Sequence, residues 1–241
     1  MNLLQQKIIR RIKSKGPITF KTFMEMALYE PELGYYTSQK TRIGRSGDFY
    51  TSSHLHPIFG MMIGKQIEEM WEIMNKPSDF QIVEMGSGAG YLCKDILDYL
   101  KNRELFNSLS YTIVELNPAM KTSQQNLLTD FSDRVSWASS IRELNNIKGC
   151  ILSNEFLDAF PAHIIEMNDE IKEIFVSTGN EKLTEIKGAP STSGIADYLK
   201  EFSIELEKGY RTEINLEIKK WLGEINSVLT EGFILTIDYG Y

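Results

Sequence analysis

The sequence predicts an α/β protein built on a doubly wound parallel sheet. A strand, a glycine turn and a helix follow one another over residues 80–100. Apolar strands then alternate with helices up to residue 153, and an apolar strand returns at 232–241. Alternation of this kind is typical of parallel sheets that bind ligands at the carboxyl ends of their strands. The 241 residues are enough for one large domain with an insertion.

The N-terminal part is predicted to consist of helices around a long loop. Residues 2–15 have apolar side chains at helical spacing, and Thr19 suits the N-cap of a helix over Phe20–Tyr29. Another amphipathic helix is predicted over Pro57–Asn75. The loop at 30–53 is either a lid over a ligand or plain surface. As a lid it offers four candidate ligand-binding residues, Gly47, Asp48, Thr51 and Ser52.

The central unit starts with a buried strand, Phe80–Met85, and continues through a glycine turn into a helix at Tyr91–Leu100. Such a turn presents backbone amides and a helix N-terminus, which suit a nucleotide-like ligand. Glycine is needed because a Cβ would hold the ligand away and because these turns use positive φ. A tight structural turn without a ligand is the alternative. The candidate binding residues are Gly86, Gly88 and Gly90.

Two acids distinguish among nucleotide-like ligands. A dinucleotide fingerprint needs glycine at the position of Tyr91. Glu84, two residues before Gly86, instead suits a ligand with a cationic amino acid end, such as S-adenosylmethionine. The next strand, Ser110–Leu116, carries Glu115, and an acid at this place can bind both hydroxyls of a ribose. These features together predict an S-adenosylmethionine site.

A second polar group follows the fourth predicted strand. Helix Pro118–Leu128 and strand Arg134–Ala138 lead to strand Ile147–Ser153, whose carboxyl end should face the crevice of the glycine turn. Two carboxylates three residues apart there can grip a planar guanidinium group. The candidate catalytic residues are Asn154, Glu155 and Asp158. Alternatively, the two acids belong to the start of a helix that Asn154 caps.

From His163 the pattern changes to short alternating segments, which indicate an α+β insertion before the fifth strand of the sheet. The predicted strands are 164–167, 172–177 and 182–186, and the predicted helices are 195–206 and 214–229. The chain is thus expected to have four parts: 1–76 (N-terminal helices and lid loop), 77–161 (cofactor-binding core), 162–212 (substrate-side insertion) and 213–241 (return helix and fifth strand).

Composition argues against several classes of protein. A net charge of −7 and a pI of about 5.2 disfavour nucleic acid as the main partner. No apolar run approaches the roughly 20 residues of a membrane span. Cys93 and Cys150 are isolated from each other in the sequence, which fits a reducing compartment. His54 and His56 have no further ligand at metal-binding spacing, so we expect no metal site. We expect the basic first helix to be part of the folded domain and the protein to be cytoplasmic. If this helix is instead a transit peptide, the protein would be directed to the mitochondrial matrix.

Six ordered motifs span essentially the whole chain: Glu30–Tyr36, Gly47–Ser52, Phe59–Gly60, Glu84–Gly90, Ser153–Pro161 and Ile237–Tyr241. They resemble the MidA family of class I S-adenosylmethionine-dependent methyltransferases. The resemblance implies a Rossmann-like fold in which the three glycines and Glu115 bind the cofactor. It also implies that the Gly47–Ser52 loop and the turn at Asn154 and Glu155 line the active site. Mitochondrial members are protein arginine methyltransferases that assist assembly of respiratory complex I, so the resemblance implies a protein arginine substrate.

The chain departs from the family pattern in two places. The family commonly has Pro-Glu after the Thr-Ser of the loop, where this chain has Ser53 and His54. Family members also continue beyond the Asp-Tyr-Gly-Tyr motif on which this chain ends, so the last two strands of a seven-stranded sheet are expected to be absent. Either the chain is a fragment, or a second copy covers the open edge in a homodimer.

The sequence leaves other functions open. The same cofactor site could serve the methylation of a small molecule. The chain could also be a non-catalytic assembly factor that retains the methyltransferase fold. A nucleotide-dependent oxidoreductase is a third alternative, and Tyr91 argues against it.

Overall fold

The computed structural model describes residues 2–38, 56–180 and 182–239. In these residues the helices are α1 (Leu3–Lys15), α2 (Phe20–Tyr29), α3 (Ile58–Ile73), α4 (Tyr91–Leu100), α5 (Pro118–Leu127), α6 (Gly194–Glu201) and α7 (Glu217–Val228). The strands are β1 (Ile18–Thr19), β2 (Phe80–Met85), β3 (Leu109–Val114), β4 (Val135–Ala138), β5 (Ile147–Asn154), β6 (His163–Met167), β7 (Ile171–Gly179), β8 (Lys182–Gly188), β9 (Arg211–Ile214) and β10 (Leu229–Ile237).

The chain divides into two compact units. Residues 1–38 and 159–221 form the insertion unit, and residues 39–158 and 222–241 form the core unit. The sequence-based division instead keeps everything up to residue 76 in one part. The first 38 residues group with the insertion because β1 pairs with β7, with Ile18 opposite Val176.

The core unit contains a five-stranded sheet in the order β10-β5-β2-β3-β4, with every neighbouring pair parallel. Numbered along the chain within this sheet, the order is 3-2-1-4-5 read from β4, so the predicted doubly wound fold is confirmed. The chain order reverses between β2 and β5. Ligands of such sheets bind in the crevice beyond the strand ends at this point.

The core strands are covered by apolar side chains that are almost fully buried. Among the largest are Tyr111, Phe80, Ile82, Ile96, Leu97 and Leu100. Helices α3 and α4 approach each other closely, since a Cβ on Gly60 would lie 2.3 Å from the Cβ of Asp95. A Cβ on Gly64 would lie 2.8 Å from the ring of Tyr99. Small residues at both positions therefore let α3 pack directly onto the helix that follows the glycine turn.

The insertion unit contains the predicted antiparallel strands. β7 pairs with β8 along one side, and on the other side it pairs with β6 and β1; β6 also pairs with β9. At the N-terminus, Thr19 caps α2 as predicted, because its Oγ1 accepts the backbone N–H of Thr22 at 3.1 Å. The predicted first helix is confirmed as α1, which buries Ile8, Ile9 and Ile12.

Two predictions in the insertion unit are wrong in extent. The helix expected over 195–206 ends at Glu201, and the helix expected from Ile214 starts at Glu217. Between them lies β9, which the sequence did not predict. Three of its four residues are polar and Ile214 alone is buried, so the strand is formed by pairing with β6 and not by a local apolar pattern.

No helix in the described ranges is both long and apolar enough to cross a membrane.

Candidate active site

The turn between β2 and α4 is built from three glycines with positive φ. The φ angles of Gly86, Gly88 and Gly90 are 65°, 55° and 88°. A Cβ on Gly88 would meet no described atom within 4 Å, so the backbone there faces open space. A Cβ on Gly86 would lie 2.8 Å from the ring of Phe156, which belongs to the turn after β5. The two turns are therefore neighbours, as the strand order requires.

Glu84, at the end of β2, is hydrogen-bonded to this turn. It is 2% exposed, and its Oε2 accepts the hydroxyl protons of Ser87 at 2.7 Å and Tyr111 at 2.9 Å. Burial raises the pKa of Glu84 to about 7, while the hydrogen bonds from Ser87 and Tyr111 lower it and the charge of Glu115 raises it. The carboxyl group thus ties the glycine turn to β3 through Ser87 and Tyr111.

The raised pKa of Glu84 predicts a specific pH dependence of stability. The folded-state pKa of Glu84 lies above the ordinary 4.5, so the folded protein binds this proton more tightly than the unfolded chain does. The resulting contribution to the free energy of unfolding is fully present below pH 4.5 and is lost as pH rises through about 7. In Glu84→Gln, an amide oxygen can still accept both hydroxyl protons. We expect the free energy of unfolding of this variant to gain about 3 kcal/mol relative to wild type between roughly pH 4.5 and pH 8. Urea unfolding of both proteins across this pH range measures the difference in free energy of unfolding. If this difference does not change with pH, the raised pKa of Glu84 is contradicted.

Glu115 follows β3 and is half-buried. Its Oε1 accepts the backbone N–H of Asn117 at 2.8 Å, and its Oε2 accepts Nε2 of Gln124 at 3.1 Å. Burial raises the pKa of Glu115, and the hydrogen bonds from Asn117, Gln124 and Leu116 oppose this effect. These three donors occupy three of the four lone pairs of the carboxylate, so one lone pair remains for a further donor.

The turn after β5 has a different basis from the predicted alternative. Residues 155–162 are described and form turns, so Asn154 does not cap a helix and that alternative is wrong. Asp238, directly after β10, accepts the backbone N–H groups of Leu157 at 3.0 Å and Asp158 at 3.3 Å. Glu155 has a φ of 48°, and its N–H donates to the carbonyl of Ile237 at 2.8 Å. The turn is therefore held by the end of β10.

Three acids meet at this turn. Burial raises the pKa of Glu155, the hydrogen bond from Tyr239 lowers it, and the charges of Asp158 and Asp238 raise it further. Glu155 is half-buried and Asp158 is exposed. A cation beside these carboxylates would relieve their mutual repulsion, so the turn is suited electrostatically to a positively charged group.

The structure brings together only some of the residues that the sequence nominates. Glu84, the three glycines and Glu115 lie at the carboxyl ends of β2 and β3, and Asn154, Glu155 and Asp158 lie at the end of the adjacent β5. The lid candidates Gly47, Asp48, Thr51 and Ser52 lie outside the described residues, as does His54. Among the described residues, no group of three His, Cys, Asp or Glu side chains could hold a metal ion.

Sequence reasoning missed three contributors to the site: Tyr111, Gln124 and Asp238. Asp238 could have been found by the rule that found Glu115, since it too follows an apolar parallel strand. Tyr111 and Gln124 carry no such signal. Their partners come from segments distant in the chain.

Comparison with protein families identifies the family of this chain. The family described as "Putative S-adenosyl-L-methionine-dependent methyltransferase" matches residues 62–241, about three quarters of the chain. The chain belongs to this family. The resemblance to the MidA methyltransferases is thereby confirmed, and so is the class I methyltransferase fold.

Relatives of this family member include eukaryotic and bacterial proteins. It is 30% identical over its full length to the mitochondrial protein arginine methyltransferase NDUFAF7 of Xenopus tropicalis, and 26% identical over 97% of its length to that of Homo sapiens. A superfamily member from Burkholderia thailandensis, solved with bound S-adenosyl-homocysteine, superposes with a TM-score of 0.85 at 25% identity over 99% of this chain. The chain spans 61%, 58% and 62% of the lengths of these three proteins.

Proposed function

We propose that this chain binds S-adenosylmethionine at the glycine turn and methylates an arginine side chain of a protein. The observation that carries the proposal is that three groups lie at the carboxyl ends of three neighbouring parallel strands, beside the point where the strand order reverses. These are an open glycine turn after β2, an acid after β3, and an acidic turn after β5. The membership of the methyltransferase family supports the cofactor.

The residues present fit the cofactor. The open space over Gly88 lets a ligand approach the bare backbone, which a side chain would prevent. The remaining lone pair of Glu115 suits a hydroxyl of a ribose. Glu84 is buried close to the turn, and in its ionised form it would contribute negative potential near a cationic amino acid end. Bound S-adenosylmethionine supplies a methyl group on a positively charged sulfur.

The acids after β5 are the proposed substrate residues. A guanidinium group presents donors in a planar fork that carboxylates bind in pairs, so Glu155 and Asp158 would hold one nitrogen in a fixed direction. Fixed placement is the main requirement of methyl transfer. Asp238 positions these acids through the backbone of the turn and is not assigned to the substrate. The relatives are named as arginine methyltransferases, which supports the same substrate class here.

The cofactor and the methyl acceptor are tested separately. Isothermal titration with S-adenosylmethionine and with NAD tests the cofactor, and binding of NAD alone would contradict it. Transfer of a tritiated methyl group into lysate proteins, followed on a gel and by hydrolysis to amino acids, tests the acceptor. Label in methylarginine supports the proposal. Label in small molecules only would indicate a small-molecule methyltransferase, and cofactor binding without any transfer would indicate a non-catalytic role.

Glu115→Gln is expected to weaken S-adenosylmethionine binding about tenfold. Both oxygens of Glu115 accept N–H groups, from Asn117 and Gln124, and an amide can accept only one of them while its NH₂ opposes the other. Titration of the variant measures the loss. Glu143→Gln, an exposed acid after β4, is the matched control and should bind as wild type does. If Glu115→Gln and Glu143→Gln bind S-adenosylmethionine with equal affinity, Glu115 does not bind the ribose.

We also propose a cytoplasmic location. The amphipathic helix that could have been a transit peptide is α1, and its apolar face is buried in the insertion unit. The named relatives are mitochondrial, so a tagged full-length protein followed by microscopy separates cytoplasm from mitochondrial matrix.

A further inference from the structure

Gln124 is an unusual residue in α5. It is 0% exposed, and it is the one buried residue of this helix. A buried amide costs free energy unless its donors and acceptor are hydrogen-bonded. The helix on this side of the sheet thus buries a polar side chain where an apolar one would be the ordinary choice.

Both N–H groups and the oxygen of the Gln124 side-chain amide are hydrogen-bonded. Its Nε2 donates to the carbonyl of Gly88 at 2.8 Å and to Oε2 of Glu115 at 3.1 Å. Its Oε1 accepts the indole N–H of Trp137 at 2.9 Å. An indole can only donate, so the oxygen of the amide must face Trp137 and the NH₂ group must face the turn and the acid. The orientation of the amide is therefore determined by its partners.

These hydrogen bonds join two parts of the site that the chain itself does not connect. Gly88 follows β2 and Glu115 follows β3, and one NH₂ group holds both. Gln124 also packs beneath the turn, since a Cβ on Gly90 would lie 3.3 Å from its Cγ. The separation and orientation of Gly88 and Glu115 consequently depend on the side chain of Gln124.

We propose that Gln124 is a positioning residue that fixes the glycine turn and Glu115 relative to each other and thereby determines the affinity for S-adenosylmethionine. This inference rests on the proposed cofactor. Gln124 acts through Gly88 and Glu115, and its own donors and acceptor are occupied within the protein.

Two substitutions test this role by different means. Gln124→Glu keeps the size of the side chain but puts an oxygen where the NH₂ group donates, opposite the Gly88 carbonyl and the Glu115 carboxylate. Gln124→Met keeps the packing volume and removes every hydrogen bond. We expect each variant to bind S-adenosylhomocysteine about tenfold more weakly than wild type at about pH 8.

The pH profile distinguishes positioning from simple packing. Two carboxyl groups at hydrogen-bonding distance share a proton as pH falls, and a protonated carboxyl group can donate again. Its one O–H replaces only one of the two N–H donors of Gln124. The affinity of Gln124→Glu relative to wild type should therefore recover only in part, to within about threefold at roughly pH 6, while that of Gln124→Met should stay about tenfold reduced. A role limited to packing would move neither ratio with pH.

Trp137→Phe is the matched control within the same network. It removes the donor to Oε1 but leaves both contacts of the NH₂ group, so we expect a lower melting temperature with affinity within about twofold of wild type. All proteins are compared as the full chain by titration calorimetry and thermal melts. If Gln124→Glu does not fold, Gln124→Met and Trp137→Phe still decide the question through their difference in affinity.

The outcomes separate this inference from the proposed function. Absence of binding by wild type would overturn the cofactor proposal and the positioning role with it. Binding by wild type with equal affinity in Gln124→Met would overturn the positioning role alone. Weak binding by Gln124→Met, near-normal binding by Trp137→Phe and recovery of Gln124→Glu at lower pH would establish it.

Discussion

Gly88→Val is expected to weaken S-adenosylmethionine binding by about a hundredfold or more while the protein remains folded. A Cβ on Gly88 would meet no described atom within 4 Å, so the valine side chain starts in the region proposed for the ligand. The backbone there also has a φ of 55°, which a β-branched residue adopts only with strain of about 1 to 3 kcal/mol. Titration calorimetry measures the loss of binding, and a thermal melt measures the strain.

Gly209→Val is the matched control for this substitution. Gly209 has a φ of 87°, and a Cβ there would likewise meet no described atom within 4 Å, but the residue belongs to the insertion unit. Both variants should therefore lose a similar amount of stability, and only Gly88→Val should lose binding. Near-normal affinity in a folded Gly88→Val protein would overturn the cofactor site.

Glu155→Gln is expected to lower the rate of methyl transfer about thirtyfold with little change in S-adenosylmethionine affinity. The substitution keeps the shape of the side chain and the hydrogen bond of its backbone N–H with Ile237. It removes the charge that would face a guanidinium group. Single-turnover rates with saturating cofactor separate this effect from binding.

Three further variants make the test specific. Asp158→Asn should behave in the same way, and the double variant should lose less than the sum of the two losses because both acids would grip one group. Glu231→Gln, an exposed acid within β10, should leave the rate unchanged. A lower melting temperature at an unchanged rate in Glu155→Gln would limit this residue to a structural role in the turn.

The turn after β5 owes its conformation to the end of another strand. Glu155 adopts a φ of 48°, and the backbone after it is held by Asp238. The sequence places Glu155 and Asp158 three residues apart but gives no reason to choose between a helix start and a turn. In the structure the carboxylate of Asp238 accepts the backbone N–H groups of Leu157 and Asp158 and so holds the turn.

Local chemistry determined much of the fold and part of the site. The alternation of apolar strands with amphipathic helices predicts the parallel sheet, and the glycine turn predicts where a ligand would approach it. Capping by Thr19 and the bounds of β2 and α4 follow from neighbouring residues alone, so the sequence predicts them closely. The position of Glu115 follows from the end of its strand.

Tertiary structure alone decided the contacts between distant segments. β9 and β1 exist because they pair with strands elsewhere in the insertion unit, and neither has an apolar pattern of its own. In the sequence, Gln124 is indistinguishable from an ordinary polar residue of a surface helix. In the structure it is buried between Gly88, Glu115 and Trp137. Sequence periodicity reports which face of an element is apolar. It cannot report a hydrogen bond whose partners are brought together only when the parallel strands have aligned.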